Sequence, residues 1–171
     1  HILLHLALMK FYGLGESMLE VEIQDLLQNQ TNPTIAPLAK MGEVTLRLTA
    51  KAKSQAKAKD LIAPVEREII NRIGDYLYGF DDDTPESVVA DLLSKHKKTI
   101  AIAESCTGGL MTHRLTNIPG ISEYLERGVV SYSNRSKSEL LGVERDTLEN
   151  YGAVSSATAE QMARGVRANS G

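Results

Sequence analysis

Three consecutive aspartates, Asp81–Asp83, followed by Thr84-Pro85, divide this chain into two stretches of different patterning. Adjacent carboxylates repel one another and resist burial, and a Thr-Pro pair opens a helix with the threonine as N-cap. Residues 81–85 therefore read as a linker between one unit over residues 1–80 and a second over residues 86–171. At 171 residues the chain has room for two small domains and excludes a large multidomain enzyme. Its 42% hydrophobic and 24% charged residues fit a globular protein with a core and exclude a disordered tail or a membrane bundle.

The formal net charge is −3, with nine basic and nine acidic side chains in residues 1–80 and ten and thirteen in residues 81–171. Neither half has the basic excess that nucleic acid attracts, so no nucleic-acid partner is expected. Cys106 is the single cysteine, which excludes an intrachain disulfide and suits a reducing, cytoplasmic compartment. His1, His5, His96 and His113 offer no ligand spacing for zinc beside one cysteine, so neither a metal nor another cofactor is expected. The run Ile2–Met9 is apolar except at His5, far short of the ~20 residues of a membrane span, and reads as a buried strand. With histidine first and patterned sequence at both ends, the chain reads as a piece of something longer.

In the first unit, Ser17-Met-Leu-Glu20 has the form of a capping box, and Leu19, Ile23, Leu26 and Leu27 give residues 16–28 a helical stripe. Thr34–Leu38 and Glu43–Thr49 read as strands, with a turn at Lys40–Gly42 between them. Leu61, Val65, Ile69 and Ile73 recur every four residues, predicting a helix over 54–73 that kinks or restarts at Pro64 and stops at Gly74. A short run Tyr76–Tyr78 completes a β-α-β-β-α-β order, a small α+β unit.

The second unit alternates differently. Val88, Val89, Leu92 and Leu93 mark the buried face of a helix; Thr99–Ala103 is an apolar strand; Ser105–Gly109 is a turn; and 109–115 reads as helix. Val129–Tyr132 reads as another strand and Ser136–Leu141 as a short helix, with Asn134 a candidate N-cap. Ser155 caps a last helix lined by Ala159, Met162, Ala163 and Val166. This order predicts an α/β layer with a largely parallel sheet.

The chemistry concentrates at two strand ends. Glu104-Ser-Cys-Thr-Gly-Gly109 ends a strand and feeds a helix, which places hydroxyls and backbone N–H groups where an anion or oxyanion can be held. On spacing alone, an ordinary β-α turn is the commoner meaning of such a segment. No two of the thirteen glycines lie three apart and none precedes lysine, which excludes GxGxxG and P-loop nucleotide sites. Tyr132-Ser-Asn-Arg-Ser-Lys137 ends the next strand, so Ser105 and Lys137 could meet as nucleophile and base. A lysine titrates near 10.4, so base catalysis asks for burial or local positive potential to lower it. Taken singly, Lys137 reads as a solvated helix lysine, Tyr132 as a packed strand tyrosine and Cys106 as a buried small hydrophobe, although Cys106 is also a rival nucleophile. The lysines of Lys51–Lys59 read as a wet helix face, and the first unit lacks the GxxG loop of a nucleic-acid-binding KH module.

Six blocks in the second unit carry a resemblance: Ala103–Leu110, Ile118-Pro-Gly120, Gly128–Asn134 with Lys137, Leu141-Gly-Val143, Gly152-Ala-Val-Ser155 and Met162–Val166. In order and spacing they resemble the C-terminal nicotinamide mononucleotide deamidase domain of the CinA family. Phe11–Ser17, Asn32–Pro37 and Gly42–Lys51 resemble that family's KH-type middle domain. The resemblance implies hydrolysis of the carboxamide of nicotinamide mononucleotide, giving nicotinic acid mononucleotide and ammonia without a metal. It makes Ser105 the nucleophile, with Lys137 and Tyr132 assisting proton transfer and turn N–H groups around Thr107 and Gly108 binding the oxyanion. Glu104, Thr107, Gly108, Gly109 and Asn134 would bind or orient the substrate. A homo-oligomer, a dimer, is expected; the alternative readings are a binding or regulatory module in DNA uptake or damage response, and a spacer whose residues 1–79 dimerise two catalytic units. The family's N-terminal domain, similar to molybdopterin-biosynthesis proteins, is missing here, as is the later glycine-rich segment of the deamidase domain. The expectation is therefore little or no deamidase activity from this piece alone.

Overall fold

A computed structural model of the chain describes residues 2–40 and 42–171. It divides into two compact units, His1–Pro85 and Glu86–Gly171.

The first unit is a four-stranded antiparallel sheet in the order β2-β3-β1-β4, built from β1 (Leu3–Tyr12), β2 (Thr34–Lys40), β3 (Glu43–Ala52) and β4 (Leu77–Phe80). Helices α1 (Glu16–Glu22), α2 (Gln24–Gln28) and α3 (Gln55–Ile73) complete it. Strand alternation puts Val44, Leu46, Leu48 and Ala50 of β3 beside Met9 and Phe11 of β1. They form one core with Leu19, Ile23, Ala58, Ile62, Ile69 and Ile73 of the helices. The β-α-β-β-α-β order is observed, with differences of detail. The expected helix over 16–28 is broken at Ile23, and its N-cap is Gly15 without a side-chain bond, so Ser17 and Glu20 do not form a capping box. Helix α3 runs through Pro64 as one element, capped by the Ser54 hydroxyl, and stops at Gly74 as expected; a 3-10 turn, Gly74–Tyr76, then delays β4 to Leu77. The turn expected at Lys40–Gly42 centres on Met41, which lies outside the described residues.

The run Ile2–Met9 is a strand but not a buried one. Leu4 and Leu6 are 67% and 56% exposed, because the helices cover one sheet face and these side chains stand on the other. The expected linker is also tied down. The Asp81 carboxylate accepts from the Leu8 N–H at 2.9 Å, the Asp83 carboxylate from the Phe80 N–H at 2.8 Å, and Lys10 Nζ donates to the Asp83 carbonyl. Asp81 and Asp83 thus finish the first unit, where their carboxylates meet backbone donors.

The second unit pairs two parallel strands, β5 (Ile100–Glu104) and β6 (Leu125–Val130), among helices α4 (Pro85–His96), α5 (Leu110–Thr116), α6 (Asn134–Leu141), α7 (Arg145–Tyr151) and α8 (Ser156–Ala168). Alternation along β5 feeds two cores. Ala101 and Ala103 pack with Leu141, Val143, Leu148, Met162 and Val166, while Ile100 and Ile102 pack with Ala90, Leu115 and Ile121. Strand β6 lies earlier than the expected Val129–Tyr132, because pairing with β5 starts at Leu125 and takes in the exposed Arg127 past a bulge at Glu126, and these charges hide the strand in the sequence. Two helix faces are also rotated from expectation. Val89 and Leu92 are exposed while Ala90 is buried, and Thr158, Met162 and Val166 are the buried face of α8, leaving Ala159 and Ala163 outside. Helix α8 reaches α6 closely enough that a Cβ on Gly165 would stand 1.9 Å from the Leu141 carbonyl oxygen.

Candidate active site

Parallel pairing of β5 with β6 brings their C-terminal ends side by side, and the Ser131 N–H extends the ladder by donating to the Glu104 carbonyl at 2.8 Å. Each strand then turns into a helix, so Ser105, just past β5, faces the first turn of α6. Helix α6 starts at a Ser133 N-cap, whose hydroxyl accepts from the Ser136 N–H at 3.0 Å, not at the expected Asn134. Lys137 lies one turn in, and its side chain leans back toward the helix N-terminus, as helical side chains do. It is fully buried. Nζ lies 3.0 Å from Ser105 Oγ and donates to the carbonyls of Ser131 and Tyr132, both at 2.9 Å. Among the described residues no carboxylate pairs with it. The solvated helix lysine expected from its position in the sequence is instead the most enclosed charged side chain of the unit.

Glu104 is the second buried ionisable group, 3% exposed. Its Oε2 accepts from the N–H groups of Gly109 and Met111 at 3.1 and 3.0 Å, and its Oε1 from the N–H and hydroxyl of Thr112 at 2.9 and 2.7 Å. Burial alone would raise its pKa. The bonds from Thr112, from the Thr107 hydroxyl and from the Met111 N–H outweigh burial and hold the carboxyl down at about 2. Glu104 thus stays ionised beneath the turn, with its oxygens committed to the protein and not offered to a substrate.

The turn itself uses glycine where only glycine is unstrained: Gly108 and Gly109 have φ of 60° and 97°. The Gly108 N–H donates to the Ser105 carbonyl at 3.0 Å, which removes it from the oxyanion donors expected around Thr107 and Gly108. Cys106 is exposed, contrary to the buried hydrophobe expected. Tyr132 follows the strand and does not pack within it; its side chain is 76% exposed, and its carbonyl is what meets Lys137. Asn134 is exposed and borders an open cleft of about 660 Å³ with Arg135 and Arg145, a cleft whose lining does not include Ser105.

Three contributors escaped the sequence reading. Thr112 gives Glu104 two hydrogen bonds from eight residues away, a spacing with no local signature. Ser131 lends its carbonyl to Lys137 while its own fully buried hydroxyl has no partner among the described residues. Gly128 lets α5 approach β6, since a Cβ there would fall 2.4 Å from Thr112 Oγ1. A lone glycine inside a strand pattern is a known sign of close approach, and that signal was available. Among the described residues no group of three or more histidine, cysteine, aspartate or glutamate side chains could hold a metal ion, and no helix is long and apolar enough to cross a membrane.

Residues 82–171 match the family model described as the CinA C-terminal domain, and residues 7–79 that of the damage-inducible protein CinA KH domain. A Moorella thermoacetica protein bearing the competence-damage inducible name is 56% identical over 159 residues, 93% of this chain and 38% of that protein. A CinA-like protein of Dictyoglomus thermophilum is 49% identical over 164 residues, 96% of this chain and 40% of its own. The crystal structure of the competence/damage inducible protein CihA from Agrobacterium tumefaciens is 41% identical, with a TM-score of 0.49, covering 50% of this chain and 52% of that one. The chain spans about two fifths of the length of the curated relatives it matches. Matched in both units and at such identity along nearly all of its length, the chain belongs to the CinA family.

Proposed function

We propose that the chain carries the nucleophile and base of an amide hydrolase that converts nicotinamide mononucleotide to nicotinic acid mononucleotide and ammonia. The observation that carries this reading is the contact between the buried Lys137 Nζ and Ser105 Oγ at 3.0 Å. As an ammonium, Lys137 donates three hydrogen bonds, to Ser105 and the two carbonyls. As a neutral amine it keeps two N–H bonds to the carbonyls and turns its lone pair to the Ser105 hydroxyl. That second arrangement is a general base set against a nucleophile, held by the backbone on both remaining sides.

Ser105 Oγ attacks the carboxamide carbon as its proton passes to Lys137. Lys137 then protonates the departing nitrogen, which leaves as ammonia, and water hydrolyses the resulting ester by the same proton path in reverse. Choice of nicotinamide mononucleotide among amides is carried by the family resemblance, and Ser–Lys geometry supports the reaction type.

The test is ammonia release from nicotinamide mononucleotide by the protein at the full length of its relatives, with Ser105→Ala alongside. Release that vanishes with Ser105→Ala is the expected result. No release from a folded, unsubstituted protein would sink the hydrolase reading and favour a binding role for the family's competence and damage functions.

A further inference from the structure

Most backbone N–H groups around the nucleophile are already engaged. Gly108 donates to the Ser105 carbonyl and Leu110 to the Thr107 carbonyl, both at 3.0 Å, while Gly109, Met111 and Thr112 donate to Glu104. The two N–H groups directly after the nucleophile, those of Cys106 and Thr107, have no acceptor among the described residues. Both follow Ser105 directly in the chain, and the Thr107 side chain is itself held by Glu104. We propose that Glu104 is the positioning residue of this site: by drawing Thr107, Gly109, Met111 and Thr112 around one buried carboxylate, it fixes the turn so that the Cys106 and Thr107 N–H groups face the oxyanion.

This rests on the amide-hydrolase reading. When Ser105 Oγ bonds to the amide carbon and its proton moves to Lys137, the carbonyl π pair moves onto the oxygen. Donors aimed there in advance lower the barrier without reorganising. A turn with two left-handed glycines has little stiffness of its own, since glycine loses more conformational freedom on ordering than any other residue. A carboxylate that accepts from four residues on the far side of the turn supplies that stiffness. Every recorded partner of Glu104 is a donor, so the site has use for two acceptor oxygens and none for an amide nitrogen.

The test measures kcat and KM for nicotinamide mononucleotide in the protein at its relatives' full length, unsubstituted and as Glu104→Gln, Thr112→Val and Thr112→Ser. Gln keeps the shape but sets an NH2 against N–H groups. The expected result is a kcat lower by ~100-fold with KM little changed, because oxyanion donors act in the transition state and not on bound substrate. Thr112→Val should show the same split more weakly, by ~10-fold, and Thr112→Ser, which keeps the hydroxyl, should recover most of that loss. If Glu104→Gln fails to fold, the two Thr112 variants decide. Unchanged kcat per folded molecule in Glu104→Gln, or equal kcat in Thr112→Val and Thr112→Ser, would overturn the proposal. An unsubstituted protein that releases no ammonia would overturn the underlying hydrolase reading, a separate result.

Discussion

Lys137 is fully buried, and its hydrogen bonds offset the cost of that burial. A fully buried lysine gives up hydration and long-side-chain entropy, and here its return is three hydrogen bonds, two of them to carbonyls of its own strand end. Lys137→Met conserves the stem and removes the donor. It should reduce ammonia release by ~1,000-fold, within the range of general acid–base effects. Its stability should fall by about 1–3 kcal/mol as the carbonyls lose their donor, readable by thermal unfolding. Glu104 makes a second prediction at this scale. Its folded-state pKa is depressed to about 2 from 4.5, so its contribution to stability is present above the unfolded value and lost as pH falls through the folded one. Denaturant midpoints measured between pH 5 and pH 2 should drop for the unsubstituted chain and drop less for Glu104→Gln. The Ser105–Lys137 pairing was legible because Ser105 follows β5 and Lys137 lies in the helix just after β6, and the βαβ pattern sets those strand ends side by side. The burial of Lys137 was not, because it depends on α6 starting at the Ser133 cap, one turn before Lys137, so that the side chain reaches the carbonyls of Ser131 and Tyr132, which no local spacing encodes.

Among the elements, the strand–turn–helix unit at Ile100–Thr116 was readable from a short apolar run followed by adjacent glycines, and it forms as expected. Elements whose existence depends on pairing were harder. Strand β6 holds Glu126 and Arg127 on exposed positions, and helix α7 shows in the sequence only as a short polar stretch, so neither boundary followed from hydrophobic pattern. Helix faces differ from expectation at small residues: α4 buries Ala90 while Val89 and Leu92 stay outside, and α8 buries Thr158 with Met162 and Val166 while Ala159 and Ala163 stay outside. Close approach of α8 to α6 predicts a specific sensitivity. Gly165→Ala would press a methyl into the Leu141 carbonyl, and with backbone on the other side neither helix can yield cheaply. Destabilisation of about 3 kcal/mol is expected by thermal unfolding. Ser155→Ala removes the α8 cap, in which the Ser155 hydroxyl accepts from the Thr158 N–H, together with its bond to the Gly152 carbonyl, and should cost about 1–2 kcal/mol in the same measurement.

The molecule as a whole is two units with separate cores, and the first finishes with Asp81 fastened to β1 and Asp83 to β4. Residues 1–85 alone should therefore unfold cooperatively, with the circular dichroism of an intact sheet; a broad, non-cooperative melt would show that the first core needs its neighbour. The α+β order of the first unit and the α/β order of the second were both legible, because hydrophobic periodicity changes character across Asp81–Asp83. The exposure of Leu4 and Leu6 was not, since an apolar run does not reveal that only one face of its sheet is covered. The family spans more than twice the length of this chain, and the activity proposed belongs to that longer protein. The most direct measurement is ammonia release from nicotinamide mononucleotide by the full-length protein, compared with its Ser105→Ala and Lys137→Met forms at equal folded concentration. Release by the unsubstituted protein with near-complete loss in both variants is the predicted result; equal release from all three would contradict a Ser105–Lys137 active site.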